Sequence, residues 1–118
     1  MSRTLRTKER LEKVNVINKQ LLKEYLLNCK AEKKGKRTIH EYECDIKFFL
    51  CWNLLYNDNM SVLDFKKKHF NMFKLFMLEE RGVSNARVNR LLSAIRTMMS
   101  YAEDDDDEYE DYIRNPAA

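Results

Sequence analysis

The sequence predicts an all-α domain, and three observations carry that prediction. Its 118 residues include only two glycines and one proline, too few for the turns of a sandwich or barrel. Apolar residues recur at helical spacing along most of the chain, and the strong helix formers Leu, Lys, Glu and Met are plentiful. A hydrophobic content of 44% at this length supports one core and one domain.

Residues 1–14 form a basic lead-in, mobile or partly helical, polar over MSRTLRTKERLEK except for Leu5 and Leu11. The packed domain is expected over 15–118. The spacing Ile17, Leu21, Tyr25, Cys29, flanked by Leu22 and Leu26, predicts a first amphipathic helix from about 15 to 32. It ends in KKGKR, where Gly35 is expected to take the left-handed conformation that closes a helix. Thr38-Ile-His-Glu41 reads as a capping box opening a second, central helix to about 56. Tyr42, Ile46, Phe49 and Asn53 form one of its stripes, and Cys44, Phe48, Cys51 and Leu55 another. Asn57-Asp-Asn59 breaks it, and Ser61 opens a short turn. A third helix of about 67–81 points Phe70, Phe73, Phe76 and Met77 inward and stops at Gly82.

Ser84 caps a fourth helix running to about 103, with Val88, Leu91, Leu92, Ile95, Met99 and Ala102 on its core stripe. The opposite face carries Ala86, Arg90, Ser93, Ala94 and Thr97, short side chains around one arginine. That is a surface built for close approach. The run EDDDDEYED, 103–111, reads as a solvated acidic loop; it lacks the central glycine of a calcium loop. Tyr109, Tyr112 and Ile113 suggest a last helical turn before Asn115-Pro116 forces an extended exit.

Charge is distributed unevenly. Residues 1–100 hold 21 Lys/Arg against 11 Asp/Glu, a net +10, whereas residues 101–118 hold 1 against 8, a net −7. A basic body favours a polyanion through long-range attraction. No apolar run approaches a membrane span or signal-peptide core, so a cytoplasmic protein is expected. Cys29, Cys44 and Cys51 show neither a disulfide framework nor a zinc spacing, and are expected to be reduced packing residues. His40 and His69 have no metal-ligand or nucleophile partner at a recognised spacing, and there is no Gly-rich phosphate loop or nucleophile elbow. The chain is expected to bind rather than react, with no metal and no cofactor.

In order and spacing the features resemble the N-terminal core-binding domain, SAM-like in fold, of phage-type integrases, the tyrosine recombinases. The resemblance spans roughly 17–118. It is carried by Thr38, Tyr42, Ile46, Phe49 and Trp52, then by Arg81-Gly82-Val83-Ser84 before the helix Val88 to Arg96, by Tyr101-Ala102, and by Asn115-Pro116. It implies a four- to five-helix bundle forming half of a clamp around double-stranded DNA at the crossover site. The strand-transfer chemistry, and much of the contact with other recombinase protomers, would lie in a catalytic domain beyond residue 118, leaving the fragment itself a monomer. The family's Arg…His-x-x-Arg…Tyr catalytic series is absent here, and the long acidic run departs from the short turn usual in the family.

The resemblance also implies which residues face DNA. The starts of the second and fourth helices would meet the major groove through Arg37, Thr38, His40 and Glu41 with Asn85, Ala86, Arg87 and Arg90, Glu41 being assigned to its capping role. Lys34 and Lys36 would add phosphate contacts. Because Arg87 and Arg90 lie off the core stripe, their substitution is expected to leave folding intact. The competing class is a helical protein-interaction module, in which the small-residue face packs on a partner helix and the acidic tail docks on a basic surface. A compact helix-turn-helix repressor is disfavoured by the length of the two helices joined at Gly82.

Overall fold

The computed structural model describes the backbone of residues 5–114 and the side chains of residues 5–103. Five α-helices, a 3-10 turn and a π-helical turn make up the regular structure of the described residues, which contain no strand. Helix α1 spans Lys8–Lys13 and is capped by the Thr7 hydroxyl, which accepts from the Arg10 N–H at 3.1 Å. Leu5 and Val14 on either side of it are buried, and the Arg10 guanidinium donates to the Leu5 carbonyl at 2.9 Å. The lead-in is thus partly helical, and from Leu5 onward it belongs to the packed body, because two apolar anchors bracket its single helix.

Helix α2, Val16–Ala31, starts at Asn15, whose side chain accepts from the Asn18 N–H at 2.8 Å. Leu21, Leu22, Tyr25 and Cys29 are buried as their spacing predicts. Ile17, expected at the head of that stripe, is instead 53% exposed, and Asn18 takes the buried place. An amide tolerates burial there because both its ends are bonded: Nδ2 donates to the Met60 carbonyl at 3.0 Å and Oδ1 accepts from the Val62 N–H at 2.9 Å.

The junction after α2 differs from expectation in two linked ways. Lys33, not Gly35, adopts the left-handed conformation (φ 61°), and the Lys34 and Lys33 N–H groups close the helix on the carbonyls of Cys29 and Lys30 at 3.1 and 3.0 Å. Gly35 is extended (φ −62°, ψ 148°) and is itself the cap of α3, Lys36–Tyr56. The predicted capping box at Thr38 and Glu41 is therefore absent. Thr38 lies inside the first turn, and Glu41 pairs with the Arg37 Nε at 3.3 Å. The chain re-enters helix as soon as the Schellman closure ends, three residues before the threonine, and the Gly35 carbonyl accepts the Ile39 N–H at 3.0 Å.

Helix α3 is the axis of the bundle. Ile46, Phe49, Leu50, Cys51 and Trp52 are all buried, so the helix is enclosed on every side over 49–53, while Leu55, expected on a packed stripe, and Tyr56 are exposed at its end. Phe73 meets Phe49 edge-on at 5.0 Å between ring centres and Trp52 at 5.1 Å, an aromatic knot joining α3 to α4. The helix breaks at Asn57, with Asp58 and Asn59 left-handed (φ 56° and 51°). Ser61 then caps the 3-10 turn Val62–Asp64, accepting from the Leu63 N–H at 3.2 Å.

Helix α4, Lys67–Leu75, begins where the Lys66 N–H donates to His69 Nδ1 at 2.8 Å, and passes into a π-helical turn, Phe76–Glu80. Gly82 (φ 61°) stops it as expected, the Val83 N–H bonding back to the Met77 carbonyl at 3.0 Å. The Ser84 hydroxyl caps α5, Asn85–Arg114, accepting from the Arg87 N–H at 3.2 Å. This helix does not end near 103. It continues through the acidic run, where nothing in the sequence breaks a helix before Asn115-Pro116, so the expected acidic loop is helical. The Asn115-Pro116 exit lies outside the described residues. Along α5 the expected stripe is buried or half-buried, joined by Met98 and by Ala94, which the sequence had assigned to the open face. Contact with both α2 and α3 widens the buried arc enough to include them. No helix of the described residues is long and apolar enough to cross a membrane.

Candidate nucleic-acid interface

The sequence places candidate residues at two helix starts, and both starts are open to solvent. Around the first turn of α3, Lys34, Lys36, Arg37 and His40 are exposed and Thr38 is half-buried. Lys34 reaches Glu32 at 4.0 Å, and His40 Nε2 lies 3.5 Å from the Cys44 sulfur one turn on. At the start of α5, Asn85, Ala86 and Arg90 are exposed and Arg87 is half-buried. Each start presents unpaired backbone N–H groups and the positive end of a helix dipole, an environment suited to anionic oxygen.

One residue absent from the sequence reading ties the start of α5 to α3. Asp45, on α3, is only 5% exposed, and its Oδ1 accepts from the Arg87 Nη2 at 3.1 Å. Its Oδ2 lies 3.9 Å from the Arg90 Nε. Thr38 and Asp45 are seven residues apart and so share one side of α3, about 10 Å apart along its axis. The carboxylate thereby fixes the first two turns of α5 against the middle of α3, on the side of the helix that also carries Thr38. A spacing signal was available: Asp45 follows Thr38 and Glu41 on one helical edge, but an acidic residue at such an edge ordinarily faces water.

The two arginines are not equivalent. The Arg87 side chain is 41% exposed and anchored on Asp45, while its Nη1 is buried without an acceptor. This corrects the expectation that both lie clear of the packed body: a buried carboxylate is a stronger partner for Arg87 than water is, so the residue is part of the framework. Arg90 is 58% exposed and only loosely paired, and it keeps the outward position expected of a contact residue.

A cleft of about 290 Å³ opens beside Asp45, lined by Leu5 and Arg6 of the N-terminal segment, Cys44 and Phe48 of α3, Arg81 after the π turn, and Arg87. The Arg81 guanidinium lies over the Phe48 ring, 5.3 Å from its centre. Deeper in, burial pushes the Cys51 thiol up from its ordinary pKa, partly offset by the Thr7 backbone and the charges of Arg10 and Arg6. All three cysteines are free thiols, as expected. Among the described residues no group of His, Cys, Asp and Glu side chains could hold a metal ion.

Comparison with known proteins adds nothing to this geometry: no family model, curated protein or solved structure matches the chain.

Proposed function

We propose that this chain is a DNA-binding helical domain, the core-binding part of a site-specific tyrosine recombinase, which grips double-stranded DNA at a crossover site while a separate catalytic domain breaks and rejoins strands. The observation that carries the reading is the Asp45 bridge. It ties the start of α5, at Asn85–Arg90, to the middle of α3, the helix whose exposed, basic start is at Lys34–His40. Preorganisation of this kind suits groove recognition, which requires several side chains to meet base edges and phosphates in a fixed register. In this reading Lys34, Lys36 and Arg37 hold phosphates, and Thr38, His40, Asn85 and Arg90 face the groove. Ala86 permits close approach, and Arg87 orients the helix from behind. The SAM-like character of the bundle and the recombinase assignment rest on the sequence resemblance.

The test is fluorescence anisotropy of a labelled random duplex at low salt, repeated as salt is raised. The proposal expects binding that weakens steeply with salt, since displaced counterions drive the association. A chain that binds no duplex at low salt would overturn the proposal and favour the protein-interaction module.

A further inference from the structure

The three cysteines of the chain do not share one environment. Cys29 and Cys51 are wholly buried, whereas Cys44 is half-buried on α3 and lines the cleft beside Asp45. A dissolved reagent therefore meets Cys44 in the folded chain and reaches the other two only when the packing opens. Cys44 also has a base beside it. His40, exposed and one helical turn earlier, holds its Nε2 3.5 Å from the Cys44 sulfur. Residues four apart on a helix meet in this way, a spacing that the sequence motifs of cysteine nucleophiles do not contain. Among the described residues neither side chain is engaged by a second hydrogen bond or ion pair. The pair supplies the two parts that thiol–disulfide exchange requires. One is a sulfur open to an incoming disulfide; the other is a neutral imidazole to take the proton that the sulfur must lose before it attacks.

We infer that Cys44 is a site of reversible modification by small disulfides, with His40 as the acceptor of its proton. The Cys44 S–H bond breaks as its proton passes to His40 Nε2. The resulting thiolate attacks one sulfur of a disulfide R–S–S–R: a Cys44–S–S–R bond forms, the old S–S bond breaks, and R–S⁻ leaves with the electron pair. The imidazolium then gives the proton to R–S⁻. Cys44 is thereby oxidised to a mixed disulfide, half of the reagent is reduced to R–SH, and His40 ends as it began. Excess thiol reverses the reaction along the same path. The inference goes beyond the DNA-binding reading and stands without it.

The test incubates the folded full chain with oxidised glutathione and follows the adduct by intact mass, with peptide mapping to locate it. A single adduct should form, at Cys44, and dithiothreitol should remove it. Cys44→Ser should abolish it, leaving Cys29 and Cys51 to react only in urea. His40→Ala should slow its formation by at least about tenfold. Because His40 is exposed, the circular dichroism melt of that variant should match wild type. His40→Gln keeps a group able to hydrogen-bond the sulfur but takes no proton at neutral pH, and should be as slow as His40→Ala. No adduct, adducts spread over all three cysteines of the folded chain, or an adduct that forms as fast in Cys44→Ser overturns the inference. A wild-type rate in His40→Ala or in His40→Gln overturns it as well, since exposure or mere contact, and not proton transfer, then sets the reactivity.

Discussion

Two polar clusters are built into this bundle, and they are constructed on opposite principles. Where α2 and α3 meet the 57–62 loop, asparagines do the work with neutral amides. Asn18 bonds the Met60 carbonyl and the Val62 N–H, Asn53 donates to the same carbonyl at 2.8 Å, and Asn57 donates to Asn53 at 3.0 Å. Asn15 donates two further bonds to Asn59, from its backbone N–H to Oδ1 at 3.1 Å and from Nδ2 to the carbonyl at 2.8 Å, and Asn59 donates to the Lys13 carbonyl at 3.1 Å. Asn18 and Asn53 are wholly buried, and the atoms they bury have partners. At the other cluster, Asp45, Arg87 and Arg90 use full charges, one donor is left without an acceptor, and the arginines remain half open to solvent. A finished neutral network is what a fold needs at a joint that stays shut. A charged cluster with spare capacity at the surface is what a binding face needs.

The largest effect should come from breaking the neutral joint. Asn18→Ala removes two buried hydrogen bonds and strands the Val62 N–H, and should cost about 3 kcal/mol in urea denaturation, with no separate effect on DNA binding by the fraction that remains folded. A loss below about 1 kcal/mol would mean that water or a rearranged loop replaces the amide, and the contrast between the two clusters would weaken.

Arg87→Ala should come next, at about 1–2 kcal/mol, since it deprives a buried carboxylate of its nearest cation while Arg90 remains and solvent screens part of the loss. Combining it with Asp45→Asn should recover part of that cost, because the neutral amide needs no cation. If the double variant is no more stable than Arg87→Ala alone, Asp45 is not the reason Arg87 matters.

For Arg90→Ala the expectation reverses. Stability should change by no more than about 0.5 kcal/mol in the same denaturation assay. Duplex affinity should fall by about 1–3 kcal/mol if the side chain reads a guanine, with preference relaxed at that base. Equal stability and equal affinity to wild type would remove Arg90 from the interface.

The smallest effect concerns Tyr25. Its hydroxyl is buried beside the Cys29 thiol, and burial pushes its pKa well above the ordinary value of 10, with Cys29 and Tyr42 adding to the shift. Because the folded chain holds the proton more tightly than the unfolded one, stability from this group is complete below pH 10 and is lost as pH rises beyond it. Tyr25→Phe should alter stability at pH 7 by less than about 1 kcal/mol and should reduce the decline on alkaline titration. An unchanged alkaline decline would place its origin in another group.

The contrast between the clusters also explains what the sequence could convey. Helix starts at Asn15 and Ser84, the stop at Gly82 and the break at Asn57 were legible because each depends on local chemistry: a side-chain oxygen that caps, or a residue that tolerates positive φ. Thr38 misled for the same reason. Its spacing to Glu41 is that of a capping box, but the Schellman closure at Lys33 had already turned the chain, and Gly35 caps with its backbone alone. Asn18 and Asp45 were illegible because their burial is decided by partners 42 to 44 residues distant, at Met60, Val62 and Arg87, and no local pattern encodes such a partner. The candidate residues were legible as two solvent-open helix starts, whereas the residue that ties α5 to α3 beside them looks from its sequence context like an ordinary solvated acid.

The unbroken course of α5 has an electrostatic consequence. Beyond Ala102 the helix continues through residues 103–114, about 18 Å of axis carrying eight acidic residues against one basic one. Because that negative charge is held out along a rod instead of folding back in a loop, the chain possesses a large electric moment along α5, with its positive pole at the packed body. In the field of a polyanion such a moment experiences a torque. Under the proposed DNA reading the chain would be turned before it arrives, body first and acidic end outward, so that this charge would help to set the angle at which contact is made.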